Sequence, residues 1–183
     1  MAAFDRARWL KRIRSKLARR GEVHKVEALV SHARNYAAID GLEKVTAWAK
    51  KKHITVEFIR VSVGRFHSQS RRVEISTHLQ PEVQLHTLLH ELGHFLIEDL
   101  GPEVVAYRFP NGYRKIDNQE PGRDVLHKVD VLAEEFEAWE RGRELAKKLN
   151  IDVDRDAFDK DRARYLQTYF RWALKRGRVS DGD

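Results

Sequence analysis

The sequence predicts a small α+β domain: helices first, then a small sheet of two to three strands, then three further helices. Three observations carry that reading. Apolar residues make up 42% and charged residues 34% of 183 positions, which suits a folded chain with a core and excludes disordered or collagen-like types. Two β-branched stretches, His53 to Val63 and Arg72 to Thr77, interrupt a chain otherwise patterned at helical spacing. Glycine, proline and asparagine punctuate the segments at Gly21, Gly64, Gly101-Pro102, Asn111-Gly112 and Pro121-Gly122.

The elements follow in order. Residues 1–21 read as a basic amphipathic helical arm, with Ala3, Ala7, Leu10, Ile13 and Leu17 on one face, Trp9 beside Ile13, and Gly21 as the stop. Residues 22–37 read as a second helix. Asp40 and Glu43 then fit a capping box that opens a third helix through about Lys52, with Leu42, Val45, Trp48 and Ala49 inward. The first strand alternates through Ile54, Val56 and Phe58, and the second turns Val73 and Ile75 to one side. Pro81 suits the first turn of a helix reaching Asp99, and Gly101-Pro102 ends it. Between residues 102 and 123, two turn signals flank the apolar pieces Val104–Phe109 and Tyr113–Ile116, so a hairpin or long loop is expected, with 104–116 a candidate cover for a cleft. Helices at 124–149 and 155–176 complete a single domain over 22–178, followed by a polar tail at 179–183.

Charge is unevenly distributed. The net +7 is carried by residues 1–20, which hold eight Lys or Arg and only Asp5 as an acid. The other 163 residues balance at 27 of each sign, and residues 81–161 hold 11 bases against 19 acids. Residues 1–20 are therefore the candidate contact for nucleic acid or a protein assembly, while the body argues against a stand-alone nucleic-acid module. No apolar run approaches the roughly 18 residues of a membrane span, and no signal-like segment opens the chain. The chain has no cysteine, which excludes disulfides, thiolate ligands and thiol nucleophiles. A cytoplasmic, reducing location is the expectation, and any metal must be held by His and carboxylates.

His90-Glu91-Leu92-Gly93-His94 is the most informative stretch. Two histidines four apart on a helix share one face and can grip one ion, while the glutamate between them can stand beside a water that the ion acidifies. Zn2+ suits such ligands, with Glu91 as the base and then the proton donor to a leaving amine. A third ligand is needed. The longer motif that adds a third histidine fails, because Ile97 and Leu100 stand where Gly and His are required. The helix at 124–149 offers Glu134, Glu135, Glu137, Glu140 and Glu144. Leu132, Phe136 and Trp139 form its apolar stripe with Val131 and Ala138 alongside, and Glu135 falls inside that stripe while Glu134 and Glu137 fall on the polar side. An acid there is costly unless neutralised, so Glu135 is the expected ligand and Glu134 the reserve. His86 continues the row one turn earlier and is expected as a supporting or core histidine.

In its order of strand, strand, HELGH helix, and a helix bearing Glu135-x-x-Ala138, the chain resembles the ImmA/IrrE-type minimal gluzincin metallopeptidases over about residues 40–150. The resemblance implies a zincin-like fold, one catalytic zinc, and proteolysis of protein partners such as phage or stress-response repressors. It implies His90, His94 and Glu135 as zinc ligands and Glu91 as catalytic base. Trp139 departs from the Asn often found after that Ala, and no helix-turn-helix module is evident. The expected function is a zinc-dependent metalloendopeptidase acting on a protein or peptide. The competing class is a non-catalytic zinc-containing module that docks through its basic N-terminal helix. Arg72–Thr77 is the candidate edge strand for substrate backbone, and His78, Tyr107, Tyr113, His127 and Tyr165 are the candidates for oxyanion stabilisation.

Overall fold

The computed structural model describes residues 23–62, 64–113 and 125–174. The expected N-terminal arm and the polar tail lie outside these residues. The described elements are α1 (Val23–Lys51), β1 (Thr55–Ile59), β2 (Arg65–His67), β3 (Arg72–Ser76), α2 (Pro81–Glu98), α3 (Pro102–Arg108), α4 (Val125–Lys148) and α5 (Arg155–Leu174). The fold is α+β, as the pattern predicts. None of the described helices is long and apolar enough to cross a membrane.

α1 is one helix where two were expected. Asp40 does not cap a new helix; it pairs with Lys44 one turn on, at 2.8 Å. Gly41 lies inside the same helix. A Cβ there would lie 2.7 Å from Leu85 Cδ2 and 2.9 Å from Ile151 Cγ2, so the glycine is a contact surface for α2 and the α4–α5 connection. Ala38, Leu42, Val45 and Ala49 continue the buried face through that point. Burial of that face outweighs the loss of roughly 1 kcal/mol that a mid-helix glycine costs. The helix ends at His53, which takes a left-handed φ of 58° while the Ile54 amide bonds back to the Ala49 carbonyl.

The sheet order is β1-β3-β2. β1 runs parallel to β3 with Thr55 opposite Arg72 and Ile59 opposite Ser76, and β2 runs antiparallel to β3 with Arg65 opposite Glu74. Two expectations are corrected here. β3 is the central strand, so Arg72–Thr77 is not a free edge. β2, which was read as part of a turn beginning at Gly64, is a three-residue edge strand. β1 is also shorter than the His53–Val63 run. Val73 and Ile75 point into the core and are fully buried, as the alternation requires.

The segment after α2 is another correction: residues 102–108 form a helix in place of the expected hairpin or long loop. Gly101, at φ 94°, stops α2 and Pro102 immediately occupies the first turn of α3, with Glu103 beside it. The Gly-Pro pair thus both stops and starts. Val105 and Phe109 bury against Ile97 and Ala138 in a small satellite cluster. Between α4 and α5, Asn150 adopts a left-handed φ of 52°, and Asp154 caps α5 by accepting bonds from the amides of Asp156 and Ala157 at 3.1 Å each.

α2 is the centre of the molecule. It packs along α4 on one side and against α1 and the sheet on the other, so Leu85, Leu88, Leu89, Leu92 and Phe95 are all buried. The buried face of α4 is Val131, Glu134, Glu135, Ala138, Trp139, Gly142, Leu145 and Ala146. It is rotated from the expected stripe: Phe136 is exposed and meets Phe170 of α5 edge-on, and Glu134 is inside. α2 and α4 approach at backbone distance. A Cβ at Gly93 would collide with the Ala138 carbonyl, 2.7 Å from its carbon, and one at Gly142 would stand 2.7 Å from the Leu89 carbonyl carbon. Gly93→Ala is expected to lower stability by about 3 kcal/mol, because backbone, not a movable side chain, is the obstacle. Chemical denaturation checks this; a loss below about 1 kcal/mol would refute the close-approach argument.

Candidate metal centre

Pro81 at the start of α2 and the leucines that bury it fix the rotation of the helix. That rotation turns His90 and His94 toward α4, with ring centroids 4.8 Å apart. On α4, the same face that carries Ala138 and Gly142 carries Glu135 three residues before Ala138, so the close helix contact delivers its carboxylate between the imidazoles. Glu135 Oε2 is 3.3 Å from His90 Nε2, and Oε1 is 3.4 Å from His94 Nε2. One ligand atom from each of the three residues lies within 4.8 Å of the others, a group able to hold a metal ion.

The chemistry of this donor set fits such an ion. Glu135 is 1% exposed and its Oε2, though near His90, accepts no hydrogen bond. A buried carboxylate oxygen without a donor is costly unless something else neutralises it. Two imidazoles and one carboxylate also match the ligands that zinc takes in sites with an open position.

The electrostatics follow from the same crowding. Burial opposes a charge on His94, but the Glu135 carboxylate beside it prevails and lifts its pKa to about 9. Burial pushes the Glu135 carboxyl up, and the close approach and charges of His90 and His94 more than reverse this, holding it below the ordinary carboxylate range. Tyr113 donates to Glu135 Oε1 at 2.7 Å. Burial and the adjacent Glu135 charge raise both Tyr113 and Tyr169, so both phenols keep their protons as donors at neutral pH.

The remaining expected residues are distributed as follows. Glu91 is buried on α2, and a Cβ at Gly64 would come 3.2 Å from its Oε1, so the segment leading into β2 passes directly over it. Glu134 is buried near Gly112, outside the three-residue group. Glu137 pairs with Arg108 and Arg141, and Glu140 with Arg143 and Arg162. Glu144 is exposed. His86 faces away from the group: its Nδ1 is 2.8 Å from Asp161 Oδ2, and its ring meets Phe158 edge-on.

Of the oxyanion candidates, Tyr113 reaches the cluster. Tyr165 shares a hydrogen bond with Thr87 Oγ1 at 3.2 Å. Tyr107 and His78 are exposed, and His127 bonds the Asn111 carbonyl. Tyr169 was not among them. Its only sequence signal is the four-residue spacing from Tyr165, which places two phenols on one face of α5.

An α+β domain in which a His-x-x-x-His helix receives a buried carboxylate from a second helix defines a candidate metal centre of the metallopeptidase kind. The family model of the IrrE N-terminal-like domain, Peptidase_M78, matches residues 50–122, and across that stretch the chain is similar to that family. The matched residues include His90, Glu91 and His94 but end before α4; Glu135 joins them through the fold. No curated protein and no solved structure gave a significant match. The peptidase family implies a metal and a protein or peptide substrate.

One consequence is readable without metal. The folded-state pKa of His94 lies above its ordinary 6.5, so its pairing stabilises fully below about 6.5 and is lost as pH rises through about 9. Glu135 is depressed from 4.5, so its contribution is present above that value and lost on acidification. Chelator-treated protein should therefore melt progressively lower between pH 6.5 and 9. Thermal unfolding tests this: a Glu135→Gln variant with the same slope as wild type over that range would contradict it.

Proposed function

We propose that the protein is a zinc-dependent metalloendopeptidase, with His90, His94 and Glu135 as the metal ligands and Glu91 as the catalytic base. The observation that carries the reading is the buried Glu135 carboxylate held between the two Nε2 atoms at 3.3 and 3.4 Å. Bound there, zinc would supply a Lewis acid for the scissile carbonyl and lower the pKa of the attacking water.

The chain's own residues do the rest. Glu91, one residue after His90 on the same helix, takes the proton from the attacking water and passes it to the leaving amine. Tyr113, kept protonated beside Glu135, and Tyr169 near it are the donors available for the developing oxyanion. β2 replaces β3 as the strand offered to substrate backbone: among the described strands it pairs on one side only, and Gly64 at its entrance adjoins Glu91.

The absence of cysteine supports a reducing, cytoplasmic setting. Residues 1–20, which carry the whole net positive charge, are proposed as an arm that brings the peptidase domain of residues 22–178 to a nucleic acid or protein assembly. The competing reading, a zinc-containing docking module without catalysis, differs in what Glu91 does.

Casein cleavage and zinc content measured together separate the two. Glu91→Gln is expected to keep zinc and lose activity by about 10²–10⁴-fold, the usual contribution of a general base. Glu135→Ala is expected to lose zinc. Full activity in Glu91→Gln defeats the catalytic reading, and wild-type zinc content in Glu135→Ala defeats the ligand set. Removal of residues 1–20 should leave hydrolysis of a short peptide unchanged while weakening partner binding.

A further inference from the structure

We propose that Trp139 is a positioning residue that fixes the ring of His90 by stacking, taking the part that a hydrogen bond to the second imidazole nitrogen ordinarily plays; the inference rests on the reading of His90 as a metal ligand. A metal-binding imidazole is usually oriented by a carboxylate or carbonyl at its other nitrogen. His90 has none: its Nδ1 is buried and makes no hydrogen bond. One turn earlier on the same helix, His86 does have a carboxylate on Nδ1, that of Asp161 at 2.8 Å. The polar anchor is thus given to the histidine outside the metal group.

What His90 has is an indole. The ring centroids of His90 and Trp139 are 4.5 Å apart with planes 22° from parallel, and Trp139 is fully buried. The indole is held in turn by two rings of α5, with Phe158 edge-on at 5.2 Å and Tyr165 at 5.6 Å. Trp139 Nε1 is buried and makes no hydrogen bond, although a buried indole N–H usually finds one. The residue is therefore placed for its face, not for its donor.

A face is a suitable anchor for this imidazole. A bound cation draws electron density from the ring and leaves it with positive character, and an indole face attracts such a ring more strongly than it attracts a neutral one. Stacking fixes the ring plane without using either nitrogen, so Nε2 stays available to the metal.

The test uses the full chain with Zn2+ alone, its affinity measured by competition with a chromophoric chelator, and with Co2+ as a spectroscopic probe. Trp139→Phe keeps a stacking face and should bind Zn2+ within about threefold of wild type. Trp139→Leu and Trp139→Met, which fill space without a face, should bind about 10–100-fold more weakly and shift the visible Co2+ bands. Folded Leu or Met variants with wild-type affinity and unchanged bands overturn the proposal, as does a Phe variant as weak as Leu.

A second measurement covers the case in which neither aliphatic variant folds. The difference in tryptophan emission between wild type and Trp139→Phe isolates Trp139, and this component should be strongly quenched on Co2+ saturation. An unchanged component overturns the proposal. Wild-type protein that binds no Zn2+ overturns the metal reading itself and this inference with it, an outcome distinct from equal binding by all variants.

Discussion

The backbone contact between α2 and α4 is the constraint on which the rest of the structure depends. Gly93 lies under the Ala138 carbonyl and Gly142 under that of Leu89, and these four positions alternate with the candidate ligands. Gly93 precedes His94, Leu89 precedes His90, and Ala138 follows Glu135 by three. Backbone cannot change rotamer, so the helix separation is set by atoms with almost no freedom. A functional site needs its groups held to within about 0.5 Å. A single methyl at either glycine would exceed that tolerance before any ligand residue was touched. The small residues around the motif are therefore as much part of the site as the histidines, although they offer no chemistry.

That contact also creates an electrostatic problem, which the fold solves locally. Glu135 is carried into the core, where an isolated carboxylate would shed its charge or unfold the region. Two imidazoles and the Tyr113 hydroxyl meet it there. The other acids of α4 are treated differently. Glu137 and Glu140 are answered by Arg108, Arg141, Arg143 and Arg162 on the outer side. Such exposed pairs contribute little stability each, but they neutralise the acidic middle of the chain. The acids that bear on His94 are Glu135 and its buried neighbours Glu91 and Glu134.

Much of this was legible in the sequence because it rests on periodicity. The four-residue spacing of His90 and His94 places them on one face whatever surrounds them, and α2 begins at Pro81 for a local steric reason. Glu135 was legible as an acid among apolar neighbours, even though the stripe was drawn about Phe136 and the buried face lies closer to Ala138 and Gly142. What failed depended on partners distant in sequence. Asp40 and Glu43 read as a capping box until Leu85 and Ile151 are placed against Gly41 between them. β2 has three residues, fewer than alternation can reveal, and exists because β3 is there to pair with it. Which strand is central is a property of the sheet, so assigning the edge to Arg72–Thr77 had no local check. Tyr169 reaches the cluster only because α5 folds back over α4.

The surroundings of the cluster are unequal on its two sides. On the side of His90 the path is closed by Trp139, backed by Phe158 and Tyr165, and His90 is almost wholly buried. On the side of His94 the ring keeps 14% of its side-chain surface in solvent, with Tyr113 edge-on at 6.2 Å. Glu91 and the approach to β2 at Gly64 provide the adjoining wall. Among the described residues, His94 is therefore the more exposed of the two histidines, and Tyr113 stands against it. The His90 side is built from the rings of Trp139, Phe158 and Tyr165, and the His94 side from groups that can donate or accept a proton. The division follows from where α5 lies, since that helix supplies both rings that back Trp139, while the sheet supplies the edge opposite.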